Sequence, residues 1–168
     1  MVTVELLLRI FTLPTGHQGL PRGLYVSDQD LGYKLEENFI GRHGGQLSSE
    51  WNVVIKTNSL GFPDHEHSYY RNFGKSGLKK RVLGIGDSFT FPFGVTIDEC
   101  YLAQLESKQD LEVLKTGVPG YDVPEYLRFY RKVGRRFNPD IVVVGFYIGN
   151  DFLSGEKKIS LREEKKKS

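Results

Sequence analysis

The chain has 168 residues, 39% of them apolar and 26% charged, with a net charge of +2 at neutral pH. That is enough length and apolar content for one domain with a real core, which favours neither a disordered nor a membrane class. The small net charge gives no basis for nucleic-acid binding. Cys100 is the only cysteine, so no internal disulfide can form and the compartment stays open.

The first ten residues hold a short apolar run interrupted by Glu5 and Arg9. It is too short to span a bilayer and lacks the basic start of a signal peptide. Residues 1–79 read as an amino-terminal extension of short strands and loops. Leu24–Val26, Tyr33–Leu35 and Trp51–Ile55 are the expected strands, and Gly41–Gly45 is an expected loop. Residues 80–153 alternate strand and helix. Val82–Ile85 is a first strand, and Asp98–Glu106 is a helix with Tyr101, Leu102 and Leu105 on one stripe. Glu112–Lys115 is a second strand. Asp122 and Glu125 have capping-box spacing, with Pro124 in the first turn of the helix that follows. Tyr126, Phe129, Tyr130, Val133 and Phe137 give that helix one apolar face. Arg128, Arg131, Lys132, Arg135 and Arg136 fill its solvated side. Ile141–Ile148 is continuously apolar, as in a parallel strand covered on both faces. Residues 154–168 form a highly charged tail with too little apolar surface to pack. The class is α/β, with helices on both faces of a parallel sheet and a small, mainly β extension before it.

The chemistry is concentrated at strand ends. The first strand runs into Gly86-Asp87-Ser88, which puts a serine hydroxyl at the carboxyl edge of the sheet, where ligands bind in open α/β folds. Thr116-Gly117-Val118-Pro119-Gly120-Tyr121 follows the second strand and Gly149-Asn150-Asp151 the third. Taken singly, Ser88 suits a cap, Gly120 a turn after Pro119, and Asn150 a turn beside Asp151. Taken together, in this order and over about 70 residues, they resemble the first three blocks of the SGNH (GDSL) ester hydrolase family. Thr57–Phe62 also resembles a segment that precedes the catalytic domain in one bacterial branch, where Arg rather than Pro63 is usual.

The resemblance implies a three-layer, flavodoxin-like α/β/α fold and a serine ester hydrolase. Ser88 would be the nucleophile. The backbone N–H groups of Ser88 and Gly120 and the Asn150 side-chain amide would form the oxyanion hole. The family's fourth block, Asp-x-x-His, supplies the base, and no histidine follows Ser88, since His17, His43, His65 and His67 all precede it. The chain therefore reads as a truncated domain, weak or inactive alone, with its third strand as an open edge prone to self-association. The implied substrate is a small-molecule or carbohydrate ester. No cofactor, metal or membrane segment is expected. Relatives of this kind are often extracytoplasmic or membrane-anchored, which leaves the localisation of this chain unassigned.

Other readings stay open. Transfer of an acetyl group to a polysaccharide uses the same machinery. A non-catalytic remnant or a carbohydrate-binding scaffold would explain the missing histidine, and Ser88 with Thr90 would suit a flavin phosphate. Phe89 stands where a dinucleotide fingerprint needs its third glycine. Asp87 and Asp151 read as structural or as supports for the site residues. Asp64-His65-Glu66-His67 offers metal-ligand or replacement-base chemistry, but without convergent partners in sequence it reads as an exposed polar loop.

Overall fold

The computed structural model describes residues 20–44, 52–70, 79–149 and 151. The expectations for the first ten residues, Trp51, Asn150 and the tail at 154–168 lie outside the described residues.

Two antiparallel hairpins come first. β1 (Tyr25–Asp28) pairs with β2 (Gly32–Leu35), and β3 (Ile40–His43) pairs with β4 (Val53–Lys56). The first turn is set by Asp28, whose Oδ1 accepts the N–H groups of Asp30 and Leu31 at 2.9 Å each. β3 replaces the first part of the expected loop, over residues 41–43, because Gly41 pairs with Ile55 and Arg42 with Val54, and Gly45 lies outside the described residues. Gly41 is there for clearance. A Cβ at this position would sit 2.6 Å from the Phe39 ring.

A three-stranded parallel sheet follows. β5 (Lys80–Gly86) lies in the middle, with β6 (Leu111–Lys115) on one side and β7 (Ile141–Gly145) on the other. Its two helices are α1 (Tyr101–Lys108) and α2 (Val123–Lys132). The period of two along β5 separates them. Val82 clusters with Leu102 of α1, and a Cβ on Gly84 would strike the Leu102 side chain. Leu83 and Ile85 instead join Tyr126, Phe129 and Phe137. One helix therefore covers each face, and the class is α/β as expected. Leu24, Leu35, Ile55 and Phe62 belong to the same buried cluster as Leu83 and Leu114. The hairpins thus share a core with the α2 face of the sheet.

Four local expectations need correction. Residues 97–99 form a separate 3-10 turn, and extended Cys100 divides it from α1, so the helix at 98–106 is not continuous. Its capping box is Thr96 with Glu99. Asp122 precedes α2 in extended conformation but makes no side-chain capping bond, and Glu125 pairs with Arg128 instead. α2 passes at Val133 into a 3-10 turn over Gly134–Phe137, ended by left-handed Asn138 before Pro139. Finally, β7 stops at Gly145 rather than Ile148, and Val142 and Val144 remain 40% and 51% exposed. No described strand lies beyond β7, so its α2-side residues are covered only in part. The five cationic residues of the α2 region are solvent-exposed as expected.

Candidate functional site

Because β5, β6 and β7 are parallel, their carboxyl ends share one edge of the sheet, and the loop after each begins there. The loop after β5 carries Ser88. Its turn is closed by Asp87, whose carbonyl accepts the N–H groups of Thr90 and Phe91 at 3.1 and 2.9 Å. The Asp87 carboxylate takes the Phe89 N–H at 2.9 Å. Asp87 therefore fills the capping role that would have been the bland explanation of Ser88. Ser88 is partly exposed, and its hydroxyl makes no hydrogen bond among the described residues.

Small residues pack directly behind this turn. Thr90 is buried between Gly86 and Gly145, where a Cβ would meet its Oγ1 at 1.9 and 2.1 Å. Its hydroxyl lies 3.2 Å from Tyr101 Oη. A buried, engaged Thr90 is not placed to cradle a phosphate. The loop after β6 is tied to β5 by Thr116 and Val118, whose N–H groups donate to Gly84 and Gly86 carbonyls at 3.0 Å each. Gly120 follows at φ +86°, exposed, in the left-handed region where a side chain would be strained. Tyr33 from β2 reaches this loop and donates to the Pro119 carbonyl at 3.2 Å. Burial and the Glu125 and Asp122 charges push the Tyr33 phenol up to about 12.

The loop after β7 is anchored by Asp151. Its Oδ2 accepts from Tyr126 Oη at 3.0 Å and from the Tyr147 N–H at 2.9 Å. Burial, the Asp87 charge and the Asp151 bond raise the Tyr126 phenol far above its ordinary value. Both carboxylates thus hold their own loops, in line with the structural role read from sequence. Each also keeps one buried oxygen, Asp87 Oδ2 and Asp151 Oδ1, with no hydrogen-bond donor among the described residues. Asn150 lies outside the described residues. The structure therefore brings Ser88 and Gly120 to one sheet edge and leaves the third candidate unplaced. Phe89 and Tyr147 stack beside Ser88 with ring centroids 4.1 Å apart.

None of the described histidines bonds to Ser88. His43 is buried in β3 and packs edge-on against Phe93 at 4.3 Å. His65 and His67 lie along the outer side of β6. The Asp64-His65-Glu66-His67 segment is a polar loop as expected, with His65 and Glu66 exposed, but two of its side chains turn inward. The Asp64 and His67 side chains are buried, 0% and 2% exposed. Asp64 Oδ1 meets Lys115 Nζ at 3.0 Å, and its Oδ2 accepts the Lys115 N–H at 2.9 Å. Lys115 Nζ also donates to Glu106 Oε2 at 2.7 Å. Burial alone would raise the Asp64 carboxyl, but the bond and charge of His67 and the Lys115 charge hold it below the ordinary range. Burial alone would lower Lys115, and Asp64 and Glu106 outweigh it and raise it. Lys115 pairs in register with Gly84, four residues before Ser88, so this cluster is set back from the serine.

Among the described residues no helix is long and apolar enough to cross a membrane. No protein-family model matches this chain, and no curated protein matches it significantly.

Proposed function

We propose that this chain carries the nucleophile and part of the oxyanion hole of an SGNH-type serine ester hydrolase on a flavodoxin-like sheet. The observation that carries the reading is the pairing of Ser88 and Gly120 at one sheet edge, with Asp87 already serving as the turn's cap. The strand order β6-β5-β7, second-first-third, supports the reading because a flavodoxin-like sheet begins with the same order. In the reaction, Ser88 Oγ attacks the ester carbonyl. The Ser88 and Gly120 N–H groups and the Asn150 amide meet the developing oxyanion, and the alcohol leaves. Attack by water completes hydrolysis, and attack by a sugar hydroxyl completes acetyl transfer. The ester is that of a small molecule or carbohydrate.

No described histidine reaches Ser88, so solvent water takes its hydroxyl proton and returns one to the leaving alkoxide. Without a base the Ser88 hydroxyl stays a weak nucleophile, so turnover should be a small part of full enzyme catalysis. Assay of p-nitrophenyl acetate hydrolysis tests this. The expected result is slow release just above background that disappears in Ser88→Ala. An unchanged rate in Ser88→Ala contradicts the assignment.

No described strand lies beyond β7, and we propose that a second copy of the chain pairs there. From Ile141 to Gly149 the sequence has no charge, so two β7 strands meet without like-charge repulsion. Antiparallel pairing about Val143 sets Val142 of each copy against Val144 of the other, on the α2 face.

A further inference from the structure

The segment the sequence left without partners is the most organised cluster of metal-ligand chemistry among the described residues. We propose that Asp64, His65 and His67 form a binding site for one borderline divalent cation, zinc or cobalt in type, on the outer side of β6.

The two imidazoles converge on one carboxylate. His65 Nδ1 lies 2.9 Å from Asp64 Oδ1, and His67 Nε2 lies 2.7 Å from Asp64 Oδ2. One donor atom from each of the three residues falls within 4.8 Å of the other two. The rings lie 4.4 Å apart and are tilted by 42°. Two imidazole nitrogens and one carboxylate oxygen suit zinc or cobalt, whereas calcium and magnesium take oxygen ligands.

The loop is also fixed in place before any ion arrives. Asn58 Nδ2 donates to the His65 carbonyl at 2.8 Å. Ser59 donates from its N–H and hydroxyl to the Glu66 carboxylate at 2.8 and 2.6 Å. The surroundings favour positive charge. Glu112 Oε1 lies 3.6 Å from His67 Nδ1, and Asp98 and Glu106 line the cleft that opens beside His65. The His65 side chain is 59% exposed and gives the ion its way in.

Lys115 is the competitor. Its ammonium now occupies the Asp64 side of the cleft, and an incoming cation takes over that carboxylate. Lys115 then keeps Glu106 and the Val113 carbonyl, which it already meets at 2.7 and 3.2 Å. The site therefore binds reversibly rather than as a permanent structural ion.

The test is titration of the untagged chain with zinc chloride by isothermal calorimetry, with magnesium chloride as the control. One zinc per chain is expected, with no magnesium heat. His65→Ala should weaken binding at least about tenfold, the loss that even an outer-sphere partner produces. Lys115→Met should tighten it. Cobalt should give the absorption of a bound, low-symmetry ion that zinc then displaces. Should His67→Ala fail to fold, the exposed His65 variant still decides, with its fold checked by circular dichroism. Absence of zinc binding, or binding unchanged in His65→Ala, overturns the site. Weaker binding in Lys115→Met overturns the competition.

Discussion

Along β6, the N–H groups of Val113 and Lys115 end on the carboxylates of Glu106 and Asp64, at 3.1 and 2.9 Å. Along β7, no described side chain or strand receives the outer edge, and Val142 and Val144 stand half exposed. Both are edge strands of one sheet. The first is closed by acidic side chains from a preceding loop and from α1, so it offers no free template. The second has no lysine or proline in its strand and no acidic cap among the described residues, and edges of that kind pair with other chains. Closure of an edge is thus a property of the side chains brought to it, and β6 has it through residues distant in sequence.

The largest effect should come from opening the closed edge. Asp64→Ala leaves the buried Lys115 with Glu106 as its one carboxylate partner among the described residues and removes the acceptor of its N–H. The cost should be about 3–5 kcal/mol, read as a lower midpoint in urea unfolding. A loss below about 1 kcal/mol would mean that Glu106 alone holds Lys115.

The pH dependence follows from the same pair. The Asp64 carboxyl is held down in the folded state, so its contribution is present above its unfolded value of about 4. It fades as pH falls through the lower folded value. Lys115 is held up, so its contribution is present below about 10.4 and fades as pH rises through the higher folded value. Unfolding free energies measured across pH should fall off at both ends, and Asp64→Asn should flatten the acid limb. An unchanged acid limb would remove Asp64 from the account.

A smaller effect is expected at the open edge. Val144→Lys places a charge on the exposed side of β7, whereas Val143 packs toward the core cluster with Val82 and Leu102. Association measured by light scattering should weaken about tenfold or more, equivalent to roughly 1.4 kcal/mol. A chain that is already monomeric at micromolar concentration would contradict the pairing. The smallest effect belongs to Arg131→Ala on the solvated side of α2, within about 0.5 kcal/mol of the parent.

The sequence carried the sheet and its candidate serine well, because their signals are local. An apolar run ending in Gly86-Asp87-Ser88 states its own strand and turn, and Gly120 after Pro119 states its own turn. What it hid depends on partners far along the chain. Asp64 and Lys115 are 51 residues apart, and nothing in Asp-His-Glu-His says that a buried ammonium waits for it. Arg81 is similar. It looks like a solvated residue at a strand start, yet it is buried with Glu112 at 2.9 Å and the Phe137 carbonyl at 2.7 Å. Gly41 read as a loop because β4 is needed to make it a strand. Gly134 read as helix, but it lies so close to Leu83 that a Cβ would come within 2.6 Å of that side chain, and the chain tightens to a 3-10 turn there.

The proposed function rests on Ser88 as a nucleophile, with Gly120 and Asn150 as proposed oxyanion donors and no described histidine as its base. Acylation by an activated ester should then outrun attack by unactivated water, so an acyl-serine should accumulate. Peptide mapping by mass spectrometry after brief exposure to p-nitrophenyl acetate is the direct measurement. The account predicts one hydroxylamine-sensitive acetyl ester on Ser88, absent from Ser88→Ala. Acetylation confined to lysines, with Ser88 unmodified, would contradict it.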